Sequence, residues 1–141
     1  MNTDLHTDIT IGDIRKGFAY NEQEGKGLFG TNGRLMIQPE YQRNYIYNDG
    51  RKDVAVIDSV LHGYPLGLIY LNRRPDGLLE VLNGQQRITS LGRFLTNKLT
   101  VKYDGREQKF YSLNTELQQF FTKTKLTLYV CEGTEEEVKK W

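Results

Sequence analysis

Residues 81–90 read "VLNGQQRITS" and join two different patterns. Before them, "LLEVLN" (78–83) is a short apolar run of the kind that forms a strand. After them, Ile88, Leu91 and Leu95 recur at helical spacing and predict a helix over about Gln85–Asn97. Glycine and three long polar side chains therefore lie where a buried strand passes into a helix.

The segments upstream of this junction alternate between strand and helix signals. "RLMIQP" (34–39) predicts a strand that ends at Pro39, which cannot donate to a central ladder. Residues 51–62 have one apolar face, and Gly63 and Pro65 end this predicted helix. "LGLIYLNRR" (66–74) then precedes a turn that contains proline and glycine, so it forms an antiparallel hairpin with "LLEVLN".

Downstream, the alternation continues to the end of the chain. "LTVKY" (99–103) and "QKFYSL" (108–113) predict a second hairpin around Asp104-Gly105. "NTELQQFFT" (114–122) predicts a short helix and "KLTLYVCE" (125–132) a strand, after which Thr134 and Glu137 have the spacing of a capping box. The predicted class is α+β, with a small mixed or antiparallel sheet and packed helices.

The first 33 residues differ in composition from the rest. "ITIGDIRKGF" (9–18) is a short amphipathic stretch, and "NEQEGKGLFGTNG" (21–33) predicts a mobile loop because of its glycines and polar residues. His6 falls in a terminus predicted to be disordered. We therefore divide the chain into an N-terminal extension with a flexible loop (1–33), a domain (34–133), and the start of a helical segment (134–141) that is expected to continue beyond Trp141.

Composition excludes several classes of protein. With 38% apolar and 26% charged residues among 141, the chain is typical of one soluble globular domain. No apolar run approaches the ~20 residues of a membrane span, and the polar N-terminus does not resemble a secretory signal, so we expect a cytoplasmic protein without membrane contact. One cysteine and two histidines argue against a structural zinc site, whereas metal binding through carboxylates stays open; no metal-binding residue is assigned. A net charge of +1 does not indicate nucleic-acid binding.

Chemistry is concentrated in two polar clusters, since no serine, cysteine or histidine constellation suggests nucleophilic catalysis. One cluster is "QPEYQRNYIY" (38–47) and the other is the stretch at 81–90. Arginine can hold a phosphate through two parallel hydrogen bonds, and helix starts offer backbone N–H groups to anions. Helix capping is the competing interpretation, with Asn83 as the N-cap and glutamine and arginine as exposed helix formers.

The two clusters together carry a family resemblance. "IQPEYQRNYIY", "VLHGYPLGLIYL" and "EVLNGQQRITSLGRFL", in this order, resemble the DGQQR-bearing N-terminal domain of GmrSD-type restriction endonucleases, over about residues 35–141. The resemblance implies a ParB/sulfiredoxin-like fold in a bacterial restriction and phage-defence protein. It also implies nucleotide binding and hydrolysis, sensing of modified DNA, and a C-terminal helical and nuclease region as the partner.

Residue by residue, the family motif falls on Asn83, Gly84, Gln85, Gln86 and Arg87, and its companion falls on Pro39, Tyr41, Gln42 and Arg43. The implied ligand is a nucleoside triphosphate, with Mg²⁺ as a further candidate. From the resemblance and the chemistry of the side chains we assign three groups of residues: catalysis to Asn83, Gln86 and Arg87; phosphate contacts to Gly84, Gln85, Gln86, Arg87, Gln42 and Arg43; and DNA or base contacts to Tyr41, Gln42, Arg43 and Tyr45.

The family has aspartate where this chain has Asn83. An amide cannot act as a base or bind Mg²⁺ as a carboxylate does, so binding survives this change better than hydrolysis. Glu40 is a candidate substitute carboxylate.

Two other functions stay open. A non-catalytic DNA-binding module would sense modified DNA by stacking Tyr41, Tyr45 and Tyr47 on unpaired bases. A protein-interaction domain would use the two polar clusters as helix caps alone.

Overall fold

The computed structural model describes residues 2–23, 26–38, 50–134 and 136–137. Within these ranges it has four α-helices and nine strands. The helices are α1 (Ile11–Arg15), α2 (Gly50–Leu61), α3 (Gln85–Leu95) and α4 (Thr115–Lys123). The strands are β1 (Asn2–His6), β2 (Ala19–Asn21), β3 (Lys26–Gly30), β4 (Leu35–Met36), β5 (Leu68–Arg73), β6 (Leu79–Asn83), β7 (Val101–Tyr103), β8 (Arg106–Gln108) and β9 (Thr127–Glu132).

Seven of the strands form one mixed sheet in the order β1-β9-β5-β6-β4-β3-β2. The pairs β9–β5 and β6–β4 are parallel, and the other four neighbours are antiparallel. β7 and β8 form a separate hairpin. The predicted α+β class is confirmed, and the mixed form of the sheet is the one observed.

One apolar core joins the helices to one face of this sheet. Ile69, Leu71 and Val81 point from the sheet into the core, where they meet the predicted stripe of α3. The rings of Phe94 and Phe121 pack with centroids 5.1 Å apart and tie α3 to α4. α3 is the central helix of the core, and its orientation positions the junction at residues 81–90.

Local signals predicted the turns and the capping box near the end of the chain, whereas the cap of α4 was not predicted. β5 and β6 form the expected hairpin, and Gly77 has φ +89° in its turn. Asp104 and Gly105 both have positive φ between β7 and β8. The side chain of Asn114 caps α4 by accepting from the Leu117 N–H at 2.8 Å. The Thr134 N–H donates to Glu137 Oε1 and the Glu137 N–H donates to Thr134 Oγ1, each at 3.1 Å, so the predicted capping box is confirmed. Hydrogen bonding to Thr134 lowers the pKa of the Glu137 carboxyl.

Of the predictions for the first 33 residues, the amphipathic stretch is confirmed by α1 with its buried Ile11 and Ile14, and the two predictions of disorder were wrong. The expected disordered terminus contains β1, which pairs with β9, and the expected mobile loop contains β3 in the middle of a three-stranded antiparallel run. Gly27 explains the second error, because a Cβ there would lie 2.5 Å from Thr89 Oγ1. The glycine provides room for α3 against the strand and is not a sign of mobility.

Three boundaries also differ from prediction. The second strand of the β7–β8 hairpin was predicted over "QKFYSL" (108–113). The strand observed is β8, which already ends at Gln108, and Phe110–Ser112 is a 3₁₀ turn. β4 is limited to two residues. α3 ends at Leu95, two residues before the predicted end, because Asn97 turns to φ +61°. Pro39 lies outside the described residues, so the predicted strand end there is not addressed.

Candidate functional site

The junction of β6 and α3 lies at one end of the central strands of the main sheet. β6 ends at Asn83, Gly84 adopts φ +113° and ψ 13°, and α3 begins at Gln85. The neighbouring strand β5 is antiparallel to β6, so β5 begins at the end of the sheet where β6 finishes, and Tyr70 there pairs with Asn83. The loop that leads from α2 into β5 is therefore adjacent to the first turn of α3.

Arg87 lies against two glycines at this end of the sheet. A Cβ at Gly84 would come within 3.1 Å of Arg87 Nη2 and of the Ile69 side chain. A Cβ at Gly67 would come within 3.3 Å of Arg87 Nη1, which donates to the carbonyl oxygen of Leu66 at 2.7 Å. The two glycines thus leave the space in which the guanidinium lies, and the Leu66 carbonyl fixes its orientation.

The electrostatics of Arg87 are unusual for an arginine. Its side chain is half-buried, and this burial lowers the pKa of the guanidinium, while Tyr70 opposes the shift. Within the described ranges no carboxylate forms an ion pair with it. A partly desolvated cation without an acidic partner favours the binding of an anion from outside.

The other motif residues have distinct roles. Gly84, and not Asn83, occupies the N-cap position, so the predicted Asn83 cap is wrong; Asn83 is an exposed strand residue. Gln85 is buried and its Nε2 donates to the carbonyl oxygens of Val81 and Leu82 at 3.0 and 3.2 Å. This places Gln85 in the junction itself, whereas the resemblance assigned it to phosphate. Gln86 is half-buried in the first turn of α3.

A buried polar network between α2 and α3 was not anticipated from the sequence. Asp53, which is 2% exposed, accepts from Ser90 Oγ at 2.7 Å and from Arg93 Nη1 at 2.9 Å. The Arg93 guanidinium also lies 5.0 Å from the ring centroid of Tyr20 in β2. Asp53 is four residues before Ile57 and so shares the apolar stripe of α2, a spacing that indicates a buried acid.

A second unpredicted polar pair lies between β5 and β6. Asn72 Nδ2 donates to Glu80 Oε1 at 2.9 Å, and Asn72 Oδ1 accepts from the Gly133 N–H at 3.1 Å. Strand alternation puts both side chains on the face opposite Leu71 and Val81. This pair connects the centre of the sheet to the segment after β9, and polar residues inside the apolar runs were its signal in the sequence.

Several predicted site residues lie outside the part of the chain that the structure describes. They are Pro39, Glu40, Tyr41, Gln42, Arg43, Tyr45 and Tyr47, together with Trp141. Of the upstream cluster, Gln38 is described and is buried. The structure therefore positions the 81–90 motif, and the companion motif stays a prediction.

The described residues contain neither a cluster of metal ligands nor a membrane-spanning helix. No group of three or more histidine, cysteine, aspartate or glutamate side chains there could hold a metal ion. None of the helices in the same ranges has the length and apolar content to cross a membrane.

A protein-family model matches most of the chain. The family model described as "GmrSD restriction endonuclease, N-terminal domain" matches residues 25–140, which include both polar clusters. No curated protein and no solved structure matches the chain.

Proposed function

Because the chain belongs to the family of GmrSD restriction endonuclease N-terminal domains, and so to the restriction and defence proteins, we propose that it is their nucleotide-binding unit. The proposed ligand is a nucleoside triphosphate. A phosphate group binds at the first turn of α3, with Arg87 as its main contact. A ParB-like fold and a cytoplasmic location belong to the same proposal.

The observation that carries this proposal is the state of the Arg87 guanidinium. It is half-buried, its pKa is lowered by desolvation, and no described carboxylate compensates its charge. A phosphate would offset the desolvation through charge-assisted hydrogen bonds, and Nη1 is already oriented by the Leu66 carbonyl.

The start of α3 adds to this attraction. A helix N-terminus carries a partial positive charge, and its first N–H groups have no intrahelical acceptor. Gln86 lies in this turn and is half-buried, so we assign it a polar contact with the same phosphate. Mg²⁺, where present, would be held by phosphate oxygens and water, as is usual for this ion.

The companion motif supplies the rest of the proposed site. Arg43 is proposed as a second cation and Gln42 as a hydrogen-bonding partner, on the basis of the family motif alone. Tyr41 and Tyr45 are assigned to a base or to DNA because an aromatic ring can stack on an unpaired base. The helical and nuclease region of the whole protein is the proposed partner that responds to the nucleotide.

Binding, and not turnover, is the proposed activity of this chain. Asn83 stands at the exposed end of β6, where the family motif has aspartate. An amide cannot take a proton from an attacking water as a carboxylate can. We therefore expect nucleotide binding without appreciable phosphate release.

The test compares thermal unfolding with and without each of the four common ribonucleoside triphosphates, in the presence and absence of Mg²⁺. A ligand at about 100 times its Kd stabilises a protein by about 2.7 kcal/mol, which is a readily measured shift. Arg87→Ala should abolish that shift. Arg106→Ala removes the same charge from the exposed strand β8 and should leave it unchanged.

Three results would contradict the proposal. They are the absence of any shift with millimolar nucleotide, an equal shift in Arg87→Ala, and steady phosphate release with Mg²⁺, the last of which would contradict the assignment to binding alone. Salt-sensitive binding of DNA without any nucleotide effect would support the DNA-binding module instead.

A further inference from the structure

A groove of about 510 Å³ opens at the same end of the strands as the 81–90 junction. One wall is the segment 63–68 between α2 and β5, and the other is formed by Phe120 and the segment 124–127 that leads from α4 into β9. We propose that this groove binds the base and ribose of the nucleotide whose phosphate lies at Arg87. The inference rests on the proposed function and adds the location of the nucleoside.

The groove is continuous with the surroundings of Arg87. Leu66 and Gly67 line it, and the same two residues contact the Arg87 guanidinium through the Leu66 carbonyl and the close approach at Gly67. In the sheet, the start of β9 is beside the start of β5, which is beside the end of β6. Adjacent strands are about 4.8 Å apart, so a nucleotide can reach from the first turn of α3 into the groove.

Aromatic side chains on both walls are exposed to a ligand. Tyr64 is 62% exposed and Phe120 is 46% exposed, which is unusual for large apolar side chains. The His62 ring stacks on Tyr64 at 5.8 Å with an interplanar angle of 19°, so one face of the tyrosine is already supported. Every nucleobase has a π-face that can stack on such a ring.

The charge and size of the groove also fit a nucleotide. Lys125 is its one charged residue among the described lining residues, so no carboxylate there opposes an anionic ligand. Thr127 is exposed at the start of β9 and lines the groove, and its hydroxyl is a candidate hydrogen-bond partner for the ribose or base. The volume of the groove lies in the range of about 300–1,000 Å³ that is usual for small-molecule sites.

The test separates the nucleoside from the phosphates by using two probes. Calorimetric titration would measure the binding of inorganic tripolyphosphate and of the four ribonucleoside triphosphates to the native chain and to Tyr64→Ala, Phe120→Ala and Arg87→Ala. We expect Tyr64→Ala and Phe120→Ala each to weaken the best-bound nucleoside triphosphate by about fivefold or more, as loss of a stacked ring does. Binding of tripolyphosphate should stay within twofold in both variants, which also shows that they are folded.

Tyr111→Ala is the matched control. Tyr111 is 67% exposed in the turn Phe110–Ser112 and does not line the groove, so its removal should leave the binding of both probes unchanged. Arg87→Ala should weaken both probes together.

The outcomes distinguish the two proposals. If nucleotide binding depends on Arg87 but not on Tyr64 or Phe120, the groove inference is wrong and the proposed function stands. If neither probe binds, or if Arg87→Ala binds both like the native chain, the proposed function fails and the groove inference fails with it. If Tyr64→Ala weakens tripolyphosphate as much as nucleotide, the groove does not act through the nucleoside and the inference is likewise overturned.

Discussion

Gly84 has the most constrained position in the described part of the motif. Its φ of +113° is outside the range that residues with a Cβ adopt readily, and the space beside it is filled by Ile69 and Arg87. Backbone conformation and close packing therefore both require glycine. The same residue brings the Arg87 guanidinium against the backbone at the start of α3.

Gly84→Ala should destabilise the fold by about 2–4 kcal/mol, from backbone strain plus overpacking against Ile69. Gly77→Ala is a suitable control, because Gly77 also has positive φ but has open space around it, and it should cost about 1 kcal/mol. Urea unfolding measures both. Equal losses would show that the contacts at Gly84 are not tight.

The packing of α2 on α3 depends on a polar network as well as on apolar contacts. Asp53 is almost fully buried and accepts hydrogen bonds from both Ser90 and Arg93. A buried carboxylate costs desolvation free energy, which here is compensated by a cation and a hydroxyl. The network fixes how the first residues of α2 lie against the helix that carries Arg87.

Asp53→Ala should lower the free energy of unfolding by about 2–4 kcal/mol, because Arg93 would lose its ion-pair partner in a mostly buried position. Asp58→Ala removes a carboxylate from the same helix, but Asp58 is half-exposed and contacts His62 at the surface. That control should change stability by about 0.5 kcal/mol or less. Chemical denaturation curves of the two variants compare them directly. An equally small effect at Asp53 would mean that the network contributes little.

On the scale of the whole molecule, β1 closes the edge of the main sheet. It pairs along its five residues with β9, and Thr3 lies opposite Cys131. Cys131 is 1% exposed, and this burial raises the pKa of its thiol. A raised pKa keeps the thiol protonated at neutral pH, so both access and ionisation limit its reactivity in the native state.

Removal of residues 1–6 should speed the reaction of Cys131 with a thiol-specific disulfide reagent at pH 8 by about tenfold or more. The reason is that β9 becomes an edge strand and opens at lower free energy. The same measurement in urea gives the rate of the unfolded chain for reference. An unchanged rate would indicate that β1 contributes nothing to the protection of β9.

The pH dependence of stability follows from the same thiol. Its stabilising contribution is complete below the pKa of the unfolded thiol, about 8.5, and is lost as the pH rises through the higher pKa of the folded state. The native chain should therefore lose more stability at alkaline pH than Cys131→Ala does.

The local features of the fold follow from interactions between residues that are close in the sequence. Neighbouring residues determine the hairpin turns at Gly77 and Asp104-Gly105, the apolar stripe of α3 and the capping box at Thr134, so spacing and turn chemistry predicted them. The cap at Asn114 is equally local, but it was not predicted. The family and the importance of the stretch at 81–90 were also recognisable from sequence, and the match over residues 25–140 confirmed the family.

How these elements meet depends on long-range packing. β1 joins β9 across almost the whole chain, and no local pattern encodes such a pairing. The glycines of β3 predicted a loop, but Gly27 is there because Thr89 of α3 packs closely against it. The resemblance assigned Gln85 to a phosphate, and only the folded chain shows that its amide nitrogen donates to the carbonyls of Val81 and Leu82 in β6. Long-range packing likewise placed Arg87 against the backbone of the 63–68 segment and beside the groove, because that segment and α3 are brought together only by the sheet.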